Sequence, residues 1–509
     1  MGNCLLLLII LRFQIQSISL TNQSVRDKVP LSHLNAQKHK STKTPLLLWV
    51  VHIQQGVAMM NKSLSFSQSV WVLVAVFAIL FPALFWGKVE PHMPLLLATV
   101  VAATLLRLYG IPWKRMEEGI VKGIQSAIAP MLILCLIGIL IGVWMMSGTV
   151  PTILHLGISV IRPEYFTVSA LFLTIIVSTV TGSSFTTIST VGVALMGVST
   201  ALGLDPLMTA GAIISGACFG DKMSPLSDTT NFAAAVAGIP LMTHVKFMTF
   251  TAVPALAVTA LFFGLQGQTV QVNLDAIEEI RLSLEQHFHL GVLTLIPAFV
   301  VLVCSALRKP ILPTLVFGIV SGVLTAALVQ GVHSPTEWMN VMQNGFVSEI
   351  PNEAVKAIVD RGGLLSMTWS LALILIALSL GGLLQSCGVF HGLFSGLIQR
   401  IKRDAALVSL AGSSSILVNV LTGEQYLSIL LPGQMFRDAF DERRIAGQRL
   451  SRTLEDCGTL VNPLIPWGVS GAFFTSALHV STIDYLPYVT YLWLSPVFTF
   501  LFAWRRQKA

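Results

Sequence analysis

Long apolar runs, separated by short polar stretches, dominate the chain. They lie at roughly 70–87, 92–109, 124–146, 164–180, 184–204, 207–220 and 244–265. A second set lies at roughly 287–306, 311–331, 364–386, 405–421, 423–435, 457–480 and 484–504. A helix of about 20 apolar residues spans a bilayer, and it satisfies its backbone groups internally where water is absent. The pattern predicts an all-α polytopic membrane protein. About ten full spans are expected, together with re-entrant or broken helices, because some runs fall short of the length a crossing needs.

Composition agrees with the pattern. Of the 509 residues 54% are apolar and 11% are charged, whereas an ordinary soluble domain has about 25% charged residues. Mean hydropathy is +0.77. The 39 glycines and 23 prolines are scattered through the apolar runs, as transmembrane helices tolerate. A net charge of +7 raises nucleic acid as a partner. The basic residues, however, sit in short clusters between apolar runs, as they do in cytoplasmic membrane loops. No nucleic-acid partner is therefore expected. The six cysteines show no metal-ligand or redox spacing and read as small packing residues. The chain carries no HExxH, P-loop, GxSxG or CxxC motif, so it does not read as an enzyme. No cofactor is expected.

Residues 1–62 differ from the rest. They hold two short apolar runs, Leu5–Leu11 and Leu46–Ile53, with Lys38, Lys40 and Lys43 between them. Neither run is long enough to span. This segment reads as a disordered extension or an over-extended start, with Met59 or Met60 a natural beginning just before the first true span.

The two sets of runs match one another at an offset of about 240 residues. "IGVWMMSGTVPTILHLG" (141–157) lies over "LGGLLQSCGVFHGLFSG" (380–396), "TGSSF" (181–185) over "TGEQY" (422–426), "SPLS" (224–227) over "NPLI" (462–465), and Pro254 over Pro496. Corresponding loops carry opposite basic bias. Arg107, Lys114, Arg115 and Lys122 precede the third run, while the partner loop at 332–345 has no Lys or Arg. The loop at 201–208 has none, while its partner has Arg437, Arg443, Arg444 and Arg449. By the positive-inside rule these pairs lie on opposite sides of the membrane. Two inverted-topology repeats follow, at 68–268 and 285–505, with both termini cytoplasmic. Such repeats are a signature of secondary transporters. A channel is the competing class, and it would show large unitary currents without tight coupling. The same topology predicts tight helical hairpins with tips at Thr181–Ser184 and Thr422–Tyr426.

Candidate chemistry concentrates in "GACFGDKMSPLSDTTNFAAAVAGIP" (216–240). Asp221, Lys222, Ser224, Asp228, Thr229 and Asn231 lie inside an otherwise apolar crossing. Charges at membrane depth are costly and mark ion paths. Pro225 breaks the helix and frees carbonyl oxygens, which with carboxylates and hydroxyls make hard ligands suited to Na⁺. The competing reading is a polar loop at the membrane surface. The second-half partner, "SRTLEDCGTLVNPLIPWGVSG" (451–471), offers Asp456 and Asn462. There Arg452 pairing with Glu455 or Asp456 at a cytoplasmic helix start is the plainer alternative. At the tips, Thr181, Ser183 and Ser184 form a hydroxyl cluster, for which back-bonding to their own helix is the plainer role. Glu424 is the one carboxylate at either tip.

The stretches "GDKMSPLSDTTNFAAAVAGIP", "LSRTLEDCGTLVNPLIPWG" and "SGTVPTIL" resemble the NhaC-type sodium/proton antiporters over residues 68–505. The resemblance implies a bacterial inner-membrane protein that exchanges Na⁺ for H⁺ in pH homeostasis. Some relatives exchange organic substrates, such as malate against lactate with Na⁺; an exchanger of organic anions or amino acids coupled to Na⁺ or H⁺ is the alternative, and an extra Arg or Lys in the cavity would favour it. The expected partners are membrane lipid, Na⁺ and H⁺ as transported ions, with a homodimer left open. A carboxylate removed from water favours its neutral form and bound Na⁺ favours its charged form, so one group holds H⁺ or Na⁺, seldom both. On this basis Asp228, Thr229 and Asn231 are expected to contact Na⁺ directly, with Asp221 as proton carrier or supporting partner.

Overall fold

The computed structural model describes residues 64–160, 163–266, 274–307, 309–351 and 353–504. The extension expected over 1–62 lies outside the described residues. Regular structure among the described residues is helical throughout. The first half consists of α1 (Phe66–Phe81), α2 (His92–Leu108), α3 (Trp113–Met146), α4 (Thr149–Val160), α5 (Phe166–Thr181), α6 (Ser184–Ala201), α7 (Pro206–Met223), α8 (Asp228–Ala237) and α9 (Leu241–Leu265). The amphipathic α10 (Leu274–His287) leads to α11 (Ile296–Ala306) through a bend of 88°. Then follow α12 (Ile311–Gln330), α13 (Pro335–Asn344), α14 (Glu353–Val359), α15 (Leu364–Ser386), α16 (Val389–Arg400), α17 (Asp404–Thr422), α18 (Gln425–Glu442), α19 (Gly447–Leu454), α20 (Val469–Leu478), α21 (Thr482–Tyr485) and α22 (Thr490–Trp504).

Local sequence explains many of the boundaries. Ser65 and Gln68 form a capping box at the start of α1: the Ser65 hydroxyl accepts from the Gln68 N–H at 3.3 Å, and the Gln68 side chain accepts from the Ser65 N–H at 3.0 Å. Asp205 caps α7 by accepting the Leu207 N–H at 2.8 Å, and Pro206 takes the first helical position, where a missing N–H costs nothing.

Seven helices among the described residues are long and apolar enough to cross a membrane, or eight if the bent α10–α11 pair counts as one span. The apolar runs predict about ten, and the difference has a physical cause. Several predicted crossings are built as two short pieces around a break. At 1.5 Å per residue the 16 residues of α5 reach only about 24 Å, short of a hydrocarbon core about 30 Å thick.

Bulky apolar side chains point outward as well as inward. Trp144, Phe166, Phe263 and Phe473 are fully buried, whereas Trp86 is 85% and Leu328 83% exposed. That surface requires lipid as its solvent. Inside, small residues let backbones touch. A Cβ on Gly123 of α3 would meet the Leu378 carbonyl oxygen of α15 at 2.0 Å, and one on Gly382 would meet the Gly119 carbonyl oxygen at 2.2 Å. Close small-residue crossings of this kind are how helices associate where lipid supplies no hydrophobic drive.

Candidate ion-binding site

The site grows from two similar helix breaks. Gly182 ends α5 at φ +66°, and Gly423 ends α17 at φ +67°; glycine adopts this left-handed turn without a Cβ penalty. Each glycine is followed by an extended residue that caps the next helix. Ser183 accepts from the Thr186 N–H at 3.2 Å, and Glu424 accepts from the Leu427 N–H at 2.7 Å. The two tips share one backbone design but present a hydroxyl in one case and a carboxylate in the other. The α17–α18 hairpin is pinned by the Ser415 hydroxyl on the Ser428 carbonyl at 2.6 Å.

A second break separates α7 from α8. The Ser224 N–H closes on the Asp221 carbonyl at 3.1 Å, and Pro225 has no N–H with which to continue. Ser227 then caps α8, its hydroxyl accepting from the Thr230 N–H at 3.5 Å. The first tip presses on this break: a Cβ on Gly182 would lie 2.6 Å from the Leu226 Cβ. In the second half, the Gly423 carbonyl accepts from the Val469 N–H at 2.8 Å and from the Asn462 side chain at 3.0 Å.

Where these breaks meet lies a cavity of about 330 Å³, bordered by Thr181, Ser183, Asp221, Asp228, Glu424 and Tyr426 among others. One oxygen of the buried Asp221 accepts the N–H of Ser184 at 3.0 Å and its hydroxyl at 2.7 Å. That places the carboxylate at the N-terminus of α6, where the helix dipole favours negative charge. Its other oxygen is buried and has no hydrogen-bond partner among the described residues. Asp228 is exposed to the cavity; it accepts the Thr229 N–H at 2.9 Å and the Tyr426 hydroxyl. Glu424 is buried beside them. The three carboxylates border one cavity without converging on a single point. The exposed Lys309 also borders it.

The remaining sequence candidates lie around the cavity rather than on its wall. The Asn231 amide donates to the Pro225 carbonyl at 3.0 Å and to the Ser227 carbonyl at 2.6 Å, and so braces the break. The Thr229 hydroxyl donates to Glu455 at 3.2 Å. Ser224 donates to the Thr179 carbonyl at 2.8 Å and ties the break to α5. Asn462 donates to Asn419 at 2.7 Å and accepts the Ser470 N–H at 2.7 Å. Asp456 belongs to a separate buried cluster. It pairs with Lys222, both side chains being fully buried, and accepts the Ser495 hydroxyl at 2.9 Å and the Thr499 hydroxyl.

Three participants escape sequence reasoning as partners. Tyr426 stands within the predicted tip, but its bond to Asp228 spans 198 positions. Lys222 finds Asp456, 234 positions away, rather than an acid of its own segment. Arg452, the cation nearest those acids in sequence, is fully buried and stacks on Phe247 with its guanidinium carbon 4.7 Å from the ring centre. The repeat register, which sets 216–240 against 451–471, held the one signal that these stretches meet.

Comparison with known proteins fits this geometry. The Na⁺/H⁺ antiporter family profile matches residues 216–505, which include the α7–α8 break, the second tip and the buried pair. The chain is 48% identical over 446 residues to the Na(+)/H(+) antiporter NhaC of Alkalihalophilus pseudofirmus, covering 87% of this chain and 96% of that protein. It is 44% identical over 445 residues to the Na(+)/H(+) antiporter NhaC of Bacillus subtilis, covering 87% of this chain and 98% of that one. A third relative, the malate-2H(+)/Na(+)-lactate antiporter of Bacillus subtilis, is 33% identical over 410 residues, 79% of this chain and 87% of its own length. By these matches the chain belongs to the Na⁺/H⁺ antiporter family.

Proposed function

We propose that this chain is a secondary transporter that exchanges Na⁺ for H⁺ across the bacterial inner membrane. The observation that carries the reading is the cavity at the meeting of three helix breaks, bordered by Asp221, Asp228 and Glu424. Carboxylates in a pocket partly shielded from water accept either a proton or a sodium ion, and competition between the two is sufficient for antiport. Asp228 reaches the cavity with its charge exposed and is the primary Na⁺ ligand. Asp221 takes the proton, and the Thr181 and Ser183 oxygens complete the coordination. Thr229 and Asn231 hold the break in shape around Asp228. The names of the relatives agree with this cargo.

The same reading includes two inverted repeats with about ten crossings, counting the shorter apolar helices. It is supported by the shared design of the Gly182 and Gly423 tips and by the opposite basic bias of corresponding loops. On that bias both termini face the cytoplasm. Movement of one group of helices against the other would then open the cavity to each side in turn.

One observation favours a second reading. Lys309 borders the cavity, and a cation there suits an organic anion, the cargo named for the malate/lactate relative. The test is the collapse of a pH gradient in everted vesicles from antiporter-deficient bacteria expressing this chain. NaCl, LiCl and KCl are added in turn, then malate with lactate. Collapse by Na⁺ alone is expected. A response only to the organic pair would replace Na⁺/H⁺ exchange with organic-anion exchange on the same fold.

A further inference from the structure

A second cavity, of about 540 Å³, lies between the α1–α2 loop, the start of α15 and the chain from Pro466 through α20 to α21. Three of its walls match walls of the ion cavity in the repeat register. The ion cavity is bordered by Lys309 and Pro310, in the loop between α11 and α12, and the second cavity by Glu90 and Pro91, in the loop between α1 and α2. These two loops hold the same place in the two halves. Pro130 of α3 borders the ion cavity; the register that sets 141–157 over 380–396 puts it over Trp369 of α15, which borders the second cavity. Asp228 borders the ion cavity; the register that sets 224–227 over 462–465 puts it over Pro466, which borders the second. In inverted repeats, matched positions face opposite surfaces of the membrane.

The partition between the cavities is short. Pro466 borders the second cavity and Val469 the ion cavity, with Trp467 and Gly468 between them. These residues precede α20 and are not helical; irregular backbone at membrane depth is tolerated where it is buried in protein or lines a water-filled cavity. Trp467 is buried. Its indole N–H donates to the Val420 carbonyl at 2.6 Å, and its own carbonyl stands against the Gly423 tip. Further along, Phe473 of α20 stacks on Phe185, a wall of the ion cavity, with ring centres 4.7 Å apart, while Thr475 of the same helix borders the second cavity. We propose that the second cavity is the mouth through which the ion site communicates with the opposite membrane surface, and that the Trp467 indole is the partition that keeps it shut in this conformation. The proposal rests on the inverted-repeat topology argued above and deepens the exchange reading. The mouth suits a hydrated monovalent cation: Glu90 and Asp484 on its wall outnumber Lys88, all three being exposed, and a negative lining concentrates cations. Each turn of the ion site toward this mouth must break the bond between Trp467 and Val420.

The test uses the full chain in right-side-out and everted membrane vesicles, with a membrane-impermeant thiol reagent added outside. Thr475→Cys, on the second cavity, and Ile311→Cys, on the ion cavity, should each react from one face of the membrane, and from opposite faces. The unmodified chain, treated alike, gives the background of the native thiols. Labelling of both from the same face overturns the proposal. Ile483→Cys, also on the second cavity and 44% exposed, takes the place of Thr475→Cys if that variant does not fold. Sidedness needs no transport, so it is read even where Na⁺ fails to move protons, a result that overturns the exchange reading alone. Trp467→Ala tests the partition: Na⁺ should leak down its gradient without matching proton movement. A folded Trp467→Ala chain that keeps exchange tightly coupled overturns the role given to Trp467.

Discussion

Replacing Lys222 by methionine preserves the reach of its side chain and removes the ammonium, which strands Asp456 inside the protein. Both partners are fully buried, so solvent does not screen the change. Breaking a buried ion pair from one side costs about 3–5 kcal/mol. Asp456 retains the Ser495 and Thr499 hydroxyls, and neutral hydrogen bonds contribute roughly 1 kcal/mol each. The expected loss for Lys222→Met is therefore about 1–3 kcal/mol. Asp456→Leu leaves Lys222 with the Ser495 hydroxyl and the face of the Tyr491 ring, 5.9 Å from its ammonium, and its expected loss is about 2–4 kcal/mol. Combining the two removes both charges, and a buried pair replaced by apolar side chains is often close to neutral. The double variant should thus be more stable than either single one, with a coupling of at least about 2 kcal/mol. Equilibrium unfolding of the purified chain in mixed micelles of mild and denaturing detergent, followed by tryptophan fluorescence, gives all four corners of the cycle. Additive losses, or single variants as stable as the unmodified chain, would refute a stabilising buried pair.

Three further outcomes are expected. Tyr426→Phe removes the hydroxyl that Asp228 accepts; a hydrogen bond to a charged group contributes about 1.5–3 kcal/mol, so the Na⁺ concentration for half-maximal exchange should shift tenfold or more on that scale, while Asp228→Asn should abolish Na⁺-driven exchange in everted vesicles. Gly423→Ala places a Cβ on a left-handed residue and against the Trp467 carbonyl oxygen at 2.8 Å; the backbone penalty alone is about 1–2 kcal/mol, to be read as a loss of stability in the same micelle titration. Lys309→Ala removes a cation that repels Na⁺, and because Lys309 is exposed the gain in Na⁺ affinity should be at most a few-fold, measurable as half-saturation in vesicles; a loss of Na⁺ affinity would mean that Lys309 helps to build the site.

Much of the chemistry was legible as text. A charged, proline-broken stretch inside an apolar run marked Asp221 and Asp228, and the repeat register set it opposite the stretch that holds Asp456. The tips at Thr181–Ser184 and Thr422–Tyr426 were likewise visible as Thr-Gly pairs within a run too short for two crossings. What could not be read was direction. Hydropathy shows that Thr229 and Asp228 lie in the same break, but not that one side chain turns to Glu455 and the other to the cavity. Periodicity fails at this point because Pro225 interrupts the helix and resets the angular register that a 3.6-residue repeat would supply. Pairing failed for a related reason: Lys222 has acidic neighbours in its own segment, and only the packing of α7 against α22 and the turn after α19 sends it to Asp456. The number of helices long enough to cross alone, seven or eight among the described residues, was not legible either, because an apolar run records how greasy a segment is, not whether it turns back at a glycine.

Asp221 and Lys222 are consecutive, yet one faces the cavity and the other is locked to Asp456 and Ser495. Mechanically, the end of α7 acts as a rivet. Its cavity-facing side belongs to the first half of the chain, but its shank is fastened to the last helix of the second half and cannot be drawn out without exposing two opposite charges to an apolar interior. Any rocking motion that opens the cavity from alternate sides must therefore carry α7, α22 and the turn after α19 as one stiff block. The sliding seam then falls elsewhere, along the face where α3, α11 and α12 close over Asp221 and Asp228, so cross-links within the block should leave turnover intact while cross-links across that face should arrest it.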